Sequence, residues 1–276
     1  MHAQYRLVIA ANRDEFHDRP ADPLAWWPGE PRILAGRDRR GGGTWMGAAR
    51  SGRFGVVTNY RDLEPPPSAD APTRGDLLPG FLRDDRPPAH YVAELRARGA
   101  LYAGFSVLLG TDDELLYFSN RNGQAATPLG PGVYGLSNHL LDSPWPKLRR
   151  TRAGLTRLLG RETLHADALF ALLADREPAA DDEVPDTGLP PEWERALSAP
   201  FVVHGRYGTR CSTLLLVGHD GRTTLHERRF DACGRQTGAT RFEFVRGGPP
   251  AVRPTRAADA ARPALALHDQ PDASPE

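Results

Sequence analysis

The order of its segments predicts that this chain is an α+β protein, with two antiparallel sheets packed together and helices outside. Strand-like segments fill the first 60 residues, helical segments dominate two later blocks, and the last structured part is again strand-like. Such segregated runs favour α+β over alternating βαβ units. Short strands joined by Gly-rich or Asp-Gly turns are typical of antiparallel hairpins.

The first strand is predicted over residues 5–11, YRLVIAA, because a continuous apolar run is typical of a strand covered on both faces. The polar run Asn-Arg-Asp-Glu at 12–15 follows directly, so we expect it at one end of a sheet. Four prolines between residues 20 and 31 predict an extended, loop-like passage. Three short strands are predicted next, over residues 33–36, 42–49 and 53–59.

The middle of the chain combines two helical blocks with strands between them. Helices are predicted over residues 75–82, 88–98, 145–159, 164–174 and 190–197, from their caps and apolar periodicity. Strands are predicted over residues 103–110, 114–120 and 132–138. Pro79 and Gly80 weaken the first helix, and the acidic stretch 175–190 is expected to be a surface loop.

The last structured part is a predicted hairpin with one further strand. Residues 208–218 and 223–230 flank His-Asp-Gly-Arg, whose Asp-Gly step is a strong hairpin signal, and residues 240–245 alternate like a strand. The remainder is mostly Pro, Ala, Arg and Asp and is predicted to be disordered. We therefore expect one domain over residues 1–246 and a tail over 247–276.

Composition narrows the classes of function. The 276 residues carry 35 cationic and 35 acidic side chains, so no global field favours nucleic acid. Cys211 and Cys233 match neither a disulfide framework nor a zinc spacing, and the nine histidines show no metal-ligand pattern, so no metal is expected. No apolar run approaches a membrane span and no secretory signal is visible, which predicts a cytoplasmic protein.

Several motifs place chemically useful side chains at predicted strand ends. Arg13 offers fixed hydrogen bonds to an anion, and Asp14 offers an acceptor for an amine; a salt-bridged turn is the structural alternative. Asn59 and Asn138 are candidate donors to a developing oxyanion, or ordinary turn residues. The glycines before Trp45 lack the lysine of a phosphate loop and indicate a tight turn.

The segment GTRCST, residues 208–213, places Arg210 beside Cys211 in an apolar strand. A buried guanidinium needs a partner, because an unpaired buried charge is costly. Cys211 is either a nucleophile that the neighbouring Arg activates or a small buried thiol. The residues alone leave both interpretations open.

The five motifs occur in an order that resembles one family. ANRDEFHDRP, LAGRDRRGGGTWMG, GRFGVVTNYRD, GLSNHLLDSPWPK and YGTRCSTLLLV are similar to the NRDE family, also called transport and Golgi organisation 2-like. The resemblance covers residues 4–246. It implies membership of the N-terminal nucleophile (Ntn) hydrolase superfamily, whose fold is a four-layer αββα sandwich.

Within that superfamily the family is most similar to choloylglycine hydrolases and penicillin V acylases, which use an N-terminal Cys with its own α-amine as base. The resemblance implies that Arg13 lies beside the nucleophilic sulfur and that Asp14 holds the α-amine or the Arg. It implies that Asn59 and Asn138 are oxyanion or substrate donors and that Arg210 is a second Arg near the centre. We expect substrate contacts from three further residues, Asn12, Trp45 and Thr209.

The start of the chain departs from the family pattern. Family members begin Met-Cys and a short apolar strand, whereas this chain begins Met-His-Ala-Gln-Tyr, so the first strand and the nucleophile are absent. A misplaced start codon is the expected explanation, because loss of a strand would expose unpaired backbone; a genuinely shortened protein is the alternative.

Two functions follow from the resemblance. One is an Ntn-type amidohydrolase acting on a small acylated substrate, which requires an upstream Cys. The other is a non-catalytic protein that binds and carries haem, an acyl lipid or acyl-CoA. Neither function requires a resident cofactor, and haem would be a transported ligand of the carrier.

Overall fold

Twelve β-strands form the centre of the computed structural model, which describes residues 2–62, 68, 70–123 and 126–248. The strands are β1 (Tyr5–Phe16), β2 (Ala21–Trp27), β3 (Glu30–Asp38), β4 (Met46–Ala49), β5 (Phe54–Asn59), β6 (Phe105–Gly110), β7 (Leu115–Ser119), β8 (Thr127–Pro128), β9 (Val203–His204), β10 (Tyr207–Gly218), β11 (Arg222–Phe230) and β12 (Gln236–Val245). The helices are α1 (Leu77–Arg83), α2 (Pro88–Arg98), α3 (Pro146–Leu159), α4 (Ala166–Leu173) and α5 (Pro191–Leu197).

The strands are arranged in two antiparallel sheets. Seven of them follow one another in sequence order, from β2 to β8, in one sheet. The other sheet has the order β1-β10-β11-β12, and β9 also pairs with β10. Strand β1 is therefore at an edge, and within the described residues its sheet partner is β10 alone. A bulge in β10 at Arg210 separates the pair Arg13–Cys211 from the pair Asp14–Thr209.

The two sheets pack face to face, and helices cover both outer faces. Leu34, Met46 and Val56 of the seven-stranded sheet share one apolar cluster with residues of the other sheet, among them Leu215 and Leu225. Because these side chains alternate along their strands with outward-facing ones, each sheet has a second apolar face for helices to cover.

Helices α1 and α2 cover the outer face of the seven-stranded sheet, where Leu78, Phe81 and Leu95 are fully buried. On the other side, Leu169 and Phe170 of α4 pack with α3 against outward-facing residues of β1 and β10. The result is a four-layer αββα arrangement, as the sequence predicted.

Strand β1 differs from its prediction, because it runs to Phe16 rather than ending at residue 11. The motif Asn12–Glu15 therefore lies within the strand and not beyond its end. The strand continues because the fold provides partners for these polar side chains: the amide of Asn12 contacts backbone carbonyls, and Asp14 accepts from Thr209.

Two further predictions of local structure were wrong. The Pro-rich passage contains strand β2, which tolerates Pro23 because β2 is an edge strand with an irregular register there. Residues 132–138 form no strand. The backbone N–H of Gly135 donates to Asp142 Oδ1, and Asp142 has the left-handed φ of 57°, so a local turn replaces the expected strand.

Most other elements agree with their predictions, but the strand predicted over residues 42–49 is shortened to β4, and β8 and β9 were not predicted. Helix α2 begins and ends at residues 88 and 98, the hairpin of β6 and β7 encloses residues 111–114, and Gly221 turns the β10–β11 hairpin with a φ of +78°. Apart from Gly247 and Gly248, the predicted disordered tail lies outside the described residues. In the described part of the chain, no helix is both long and apolar enough to cross a membrane.

Candidate functional site

The unpaired edge of β1 forms one wall of a large cavity. The cavity has a volume of about 1400 Å³, and its other walls come from β5, the loop 129–138 and helix α3. At about 3.3 Å per residue, the stretch from Leu7 to Arg13 gives this wall a length of about 20 Å. A space of this size holds a drug-sized or lipid-sized molecule.

The middle of the cavity wall is apolar. Its β1 wall contains Leu7 and Ile9, and the facing helix α3 contributes Leu148, Leu155 and Leu159. The polarity changes along β1, because the motif Asn12–Glu15 follows the apolar residues of the same strand. The apolar part therefore lies between two polar ones, the ion pair of Arg6 with Asp112 and the motif Asn12–Glu15, which we call the polar end.

Arg13 lies at the polar end and has an unused donor. Its side chain is buried, with 9% of its surface exposed, and its guanidinium lies 4.3 Å from the ring centroid of Trp45. Arg13 Nη2 lies 3.4 Å from Asp38 Oδ2, but Nη1 is buried without a hydrogen-bond partner among the described residues. Buried donors are normally satisfied, so Nη1 is available to donate to water or to another acceptor.

Two amides meet on a neighbouring part of the wall. Asn59 ends β5, and Asn138 lies in the loop 129–138, where its Nδ2 donates to Asn59 Oδ1. This bond uses one oxygen and one hydrogen, so N–H groups of both amides stay free to donate. Thr58 also lines the cavity, and its Oγ1 is buried without a partner in the described structure.

A network of buried charges supports the polar end. Asp14 Oδ1 accepts a hydrogen bond of 2.6 Å from Thr209, and Arg61 pairs with Glu194 at 3.2 Å. Burial raises the pKa of Asp14, and the positive charge of Lys147 opposes this. Burial also lowers the pKa of Lys147 to about 8, against the attraction of Asp14. The two groups thus stabilise each other's charged forms where water is excluded.

Five of the predicted site residues line the cavity: Arg13, Asp14, Trp45, Asn59 and Asn138. Their predicted roles in catalysis and binding stay predictions.

Three other predicted site residues have their polar atoms engaged in the fold. Arg210 Nη1 donates to the carbonyls of residues 16, 17 and 19, and the side chain is not part of the cavity wall. Asn12 lies along the wall, but its amide donates to two backbone carbonyls and accepts from Ser212. Thr209 Oγ1 donates to Asp14 and accepts from the N–H of Val202.

Cys211 is a buried thiol, the second of its two predicted interpretations. Its side chain is 5% exposed, it faces Arg13 across the strand pair, and it does not line the cavity. Burial, followed by the charge of Glu227, raises its pKa well above the usual range, although Arg13 opposes this. Such a thiol is a poor nucleophile. Within the described residues, no group of three or more His, Cys, Asp or Glu side chains is arranged to hold a metal ion.

Sequence reasoning missed Lys147, Arg61 and Thr58 as parts of the site. Lys147 carried a signal, because it is the chain's single lysine and lies in the first turn of a helix, where a positive charge is unfavourable. Thr58 and Arg61 lie in the motif GRFGVVTNYRD, but their roles were not predicted because they depend on how β5 packs against distant loops.

The fold and the site together define a class of protein, a four-layer αββα sandwich with a ligand-sized cavity along an open strand edge. The family model of Transport and Golgi organisation 2 matches residues 1–232. The chain belongs to that family, which confirms the resemblance drawn from the motifs.

Individual relatives support the assignment. The chain is 35% identical over 240 residues to the Transport and Golgi organization 2 homolog of Mus musculus, covering 81% of this chain and 86% of the relative. The Homo sapiens homolog is 36% identical over 240 residues with the same coverage. The Drosophila melanogaster protein is 26% identical over 244 residues, covering 80% of this chain and 84% of the relative.

Among solved structures, the chain is similar to a Caenorhabditis elegans N-acylethanolamine-hydrolyzing acid amidase ortholog. The TM-score is 0.42 at 11% identity, over 76% of this chain and 91% of the other. This likeness is too distant to bear on function.

Proposed function

We propose that this protein binds a single small acyl compound, with its carboxylate or carbonyl oxygen at Arg13 and its apolar part along β1 and α3. The observation that carries the proposal is the unpartnered Nη1 of Arg13 at the polar end of the cavity. A guanidinium donor that is already buried and stacked on Trp45 loses little freedom when it binds an oxygen.

An acyl ligand suits the cavity better than haem. Haem has two carboxylates, and the second arginine implied near the centre, Arg210, is engaged with three backbone carbonyls and does not line the cavity. Among the described arginines of the cavity wall, Arg13 has the buried nitrogen without a partner, and one such donor matches a single acidic or carbonyl head group. The apolar wall of about 20 Å accommodates an acyl chain in an extended conformation.

The binding test compares decanoate with decanol, by displacement of a fluorescent fatty acid. We expect Arg13→Gln to weaken decanoate binding by about tenfold or more and to change decanol binding little, since only the acid needs the cation. Arg228→Gln is the matched control, because Arg228 lies over Phe170 on the helix-covered face of the same sheet and does not line the cavity. Equal losses for acid and alcohol in Arg13→Gln would sink the proposal.

Amide hydrolysis is the second candidate, and the paired amides of Asn59 and Asn138 favour it. Their free N–H groups lie on the same cavity as Arg13, and such donors stabilise the oxyanion of acyl transfer. The only cysteine within the strand pair at Arg13 is Cys211, which is buried and does not line the cavity.

We therefore expect the 276-residue form to bind acyl compounds without cleaving N-acyl amides. The measurement is release of free fatty acid by protein from the native host, with the N-terminal residue identified by mass spectrometry. Turnover only by a form that begins with Cys supports the hydrolase, and Asn59→Ala should then lower kcat by about a hundredfold. Turnover by the 276-residue form would contradict this assignment of the nucleophile.

A further inference from the structure

Lys147 is an amine in an unusual position. It is the single lysine of a chain with 35 cationic side chains, so every other one is an arginine. Its side chain is 7% exposed and lines the cavity, and Nζ donates to the carbonyl of Leu197 at 2.8 Å. Lys147 is therefore the one side-chain amine of the chain, and its side chain forms part of the cavity wall.

The surroundings of Lys147 favour a neutral amine. Burial acts first, Arg61 adds a like charge, and the N-terminal end of α3 adds the positive end of a helix dipole. Asp14 on β1 and Glu194 on α5 attract the ammonium and oppose these effects. The pKa of about 8 leaves roughly a tenth of the amine neutral at pH 7, and this fraction rises steeply up to pH 9.

We propose that Lys147 forms a reversible imine with an aldehyde whose apolar tail lies in the cavity. This deepens the proposed function and rests on it, since the same apolar wall would hold the tail. Lysines in desolvated pockets beside another cation are the ones that form such adducts with carbonyl compounds. An arginine could not replace this function, because a guanidinium stays protonated.

The chemistry balances without a further reactant. The lone pair of Nζ attacks the aldehyde carbon, so the C–N bond forms while the π bond of the carbonyl breaks. A proton then moves from the nitrogen to the oxygen, which gives a carbinolamine. Loss of the hydroxyl as water then gives the imine, so one aldehyde and one amine yield one imine and one water. The departing hydroxyl takes a proton from water and the iminium nitrogen returns one to water, so no acid or base is consumed.

The test labels the complete chain with decanal or propanal in the presence of cyanoborohydride, and maps the reduced adducts by peptide mass. The α-amine of Met1 is the other primary amine and serves as an internal reference. We expect decanal to modify Lys147 about tenfold faster than the α-amine, and propanal to show no such preference. The Lys147 reaction should accelerate between pH 7 and pH 9, and decanoate should suppress it.

The wild-type peptide map decides the question without any variant, and Lys147→Arg should lose the internal adduct while keeping the one at the α-amine. Binding of decanoate without decanal labelling of Lys147 would overturn this inference and leave the proposed function intact. Absence of both would count against the proposed function as well. Equal labelling of Lys147 by propanal and decanal, without protection by decanoate, would show that Lys147 is merely an accessible amine. This result would also overturn the inference.

Discussion

Asn12 begins the polar part of β1, and the fold uses its whole amide. Nδ2 donates to the carbonyls of Leu173 and Pro200 at 2.9 and 2.8 Å, and Oδ1 accepts from Ser212 Oγ at 2.6 Å. These bonds join β1 to the end of α4 and to the segment before β9. The residue was expected to contact substrate, but its hydrogen bonds are those of a structural tie.

Replacement of Asn12 by Ala should therefore lower the free energy of unfolding by about 3 kcal/mol, because buried carbonyls and a hydroxyl lose their partner. Ser212→Ala is the milder comparison, with an expected loss of about 1 kcal/mol from one hydrogen bond. Urea unfolding measures both. An Asn12→Ala protein as stable as the wild type would show that these bonds contribute nothing net.

The two cysteines should differ sharply in reactivity. Cys211 is buried and burial raises its pKa, whereas Cys233 is exposed in the turn before β12. We expect iodoacetamide to alkylate Cys233 in the native protein and to reach Cys211 only after unfolding in urea. Peptide masses read each site separately, and native labelling of Cys211 would contradict its assignment as an inert thiol.

At the scale of elements, the polar end of the cavity depends on two backbone segments that nearly touch. The N–H of Thr44 donates to the carbonyl of Gly75 at 3.1 Å. A Cβ on Gly43 would lie 2.2 Å from the Gly75 backbone, whereas a Cβ on Gly75 would meet its nearest atom, Thr73 Oγ1, at 3.3 Å. The close contact between these two backbone segments therefore requires glycine at position 43 much more strictly than at position 75.

Gly43→Ala should lower the free energy of unfolding by about 2 kcal/mol or more, because backbone must move to relieve the contact. Gly75→Ala is the matched control, with an expected loss below about 1 kcal/mol. Thermal unfolding of the two variants at one protein concentration compares them directly. Equal midpoints would show that the segments separate at little cost.

The sequence predicted most elements, and the errors have identifiable causes. Helix α2 and the hairpins were predictable because caps, turn residues and periodicity are local signals. The extension of β1 to Phe16 was not, since it depends on partners that are about 160 to 200 residues away, such as Pro200 for Asn12. The missing strand at 132–138 has a local cause, the bond from Gly135 to Asp142, which ordinary strand propensity does not express.

The candidate site was predictable to the extent that its residues occur in motifs. Arg13, Asp14, Asn59 and Asn138 were singled out by sequence and line one cavity. The direction of the Arg210 side chain was not predictable. A bulge in β10 places Arg210 opposite no residue of β1, and its guanidinium donates to the carbonyl of Phe16 at the end of β1. Side-chain direction at a bulge is set by tertiary packing rather than by strand alternation.

At the scale of the whole molecule, stability depends on how the helical layers are attached to the sheets. Helix α4 is attached to the five-stranded sheet by Leu169 and Phe170, and the ring of Phe170 meets the ring of His226 edge to face at 4.8 Å. Burial, together with the charges of Arg228 and Arg241, lowers the pKa of His226 to about 4, and Asp167 opposes this. The imidazole is therefore neutral in the folded protein at neutral pH.

This depressed pKa predicts a loss of stability in acid. Between the usual histidine value of about 6.5 and the folded value of about 4, the unfolded chain binds more protons at this site than the folded chain does. The contribution of His226 to the free energy of unfolding is thus fully present above pH 6.5 and declines as the pH falls toward 4. In urea unfolding between pH 7 and pH 5, His226→Gln should lose less stability than the wild type. His90→Gln, at an exposed position of α2, should follow the wild type. Identical pH profiles for His226→Gln and the wild type would show that this ring does not link the attachment of α4 to pH.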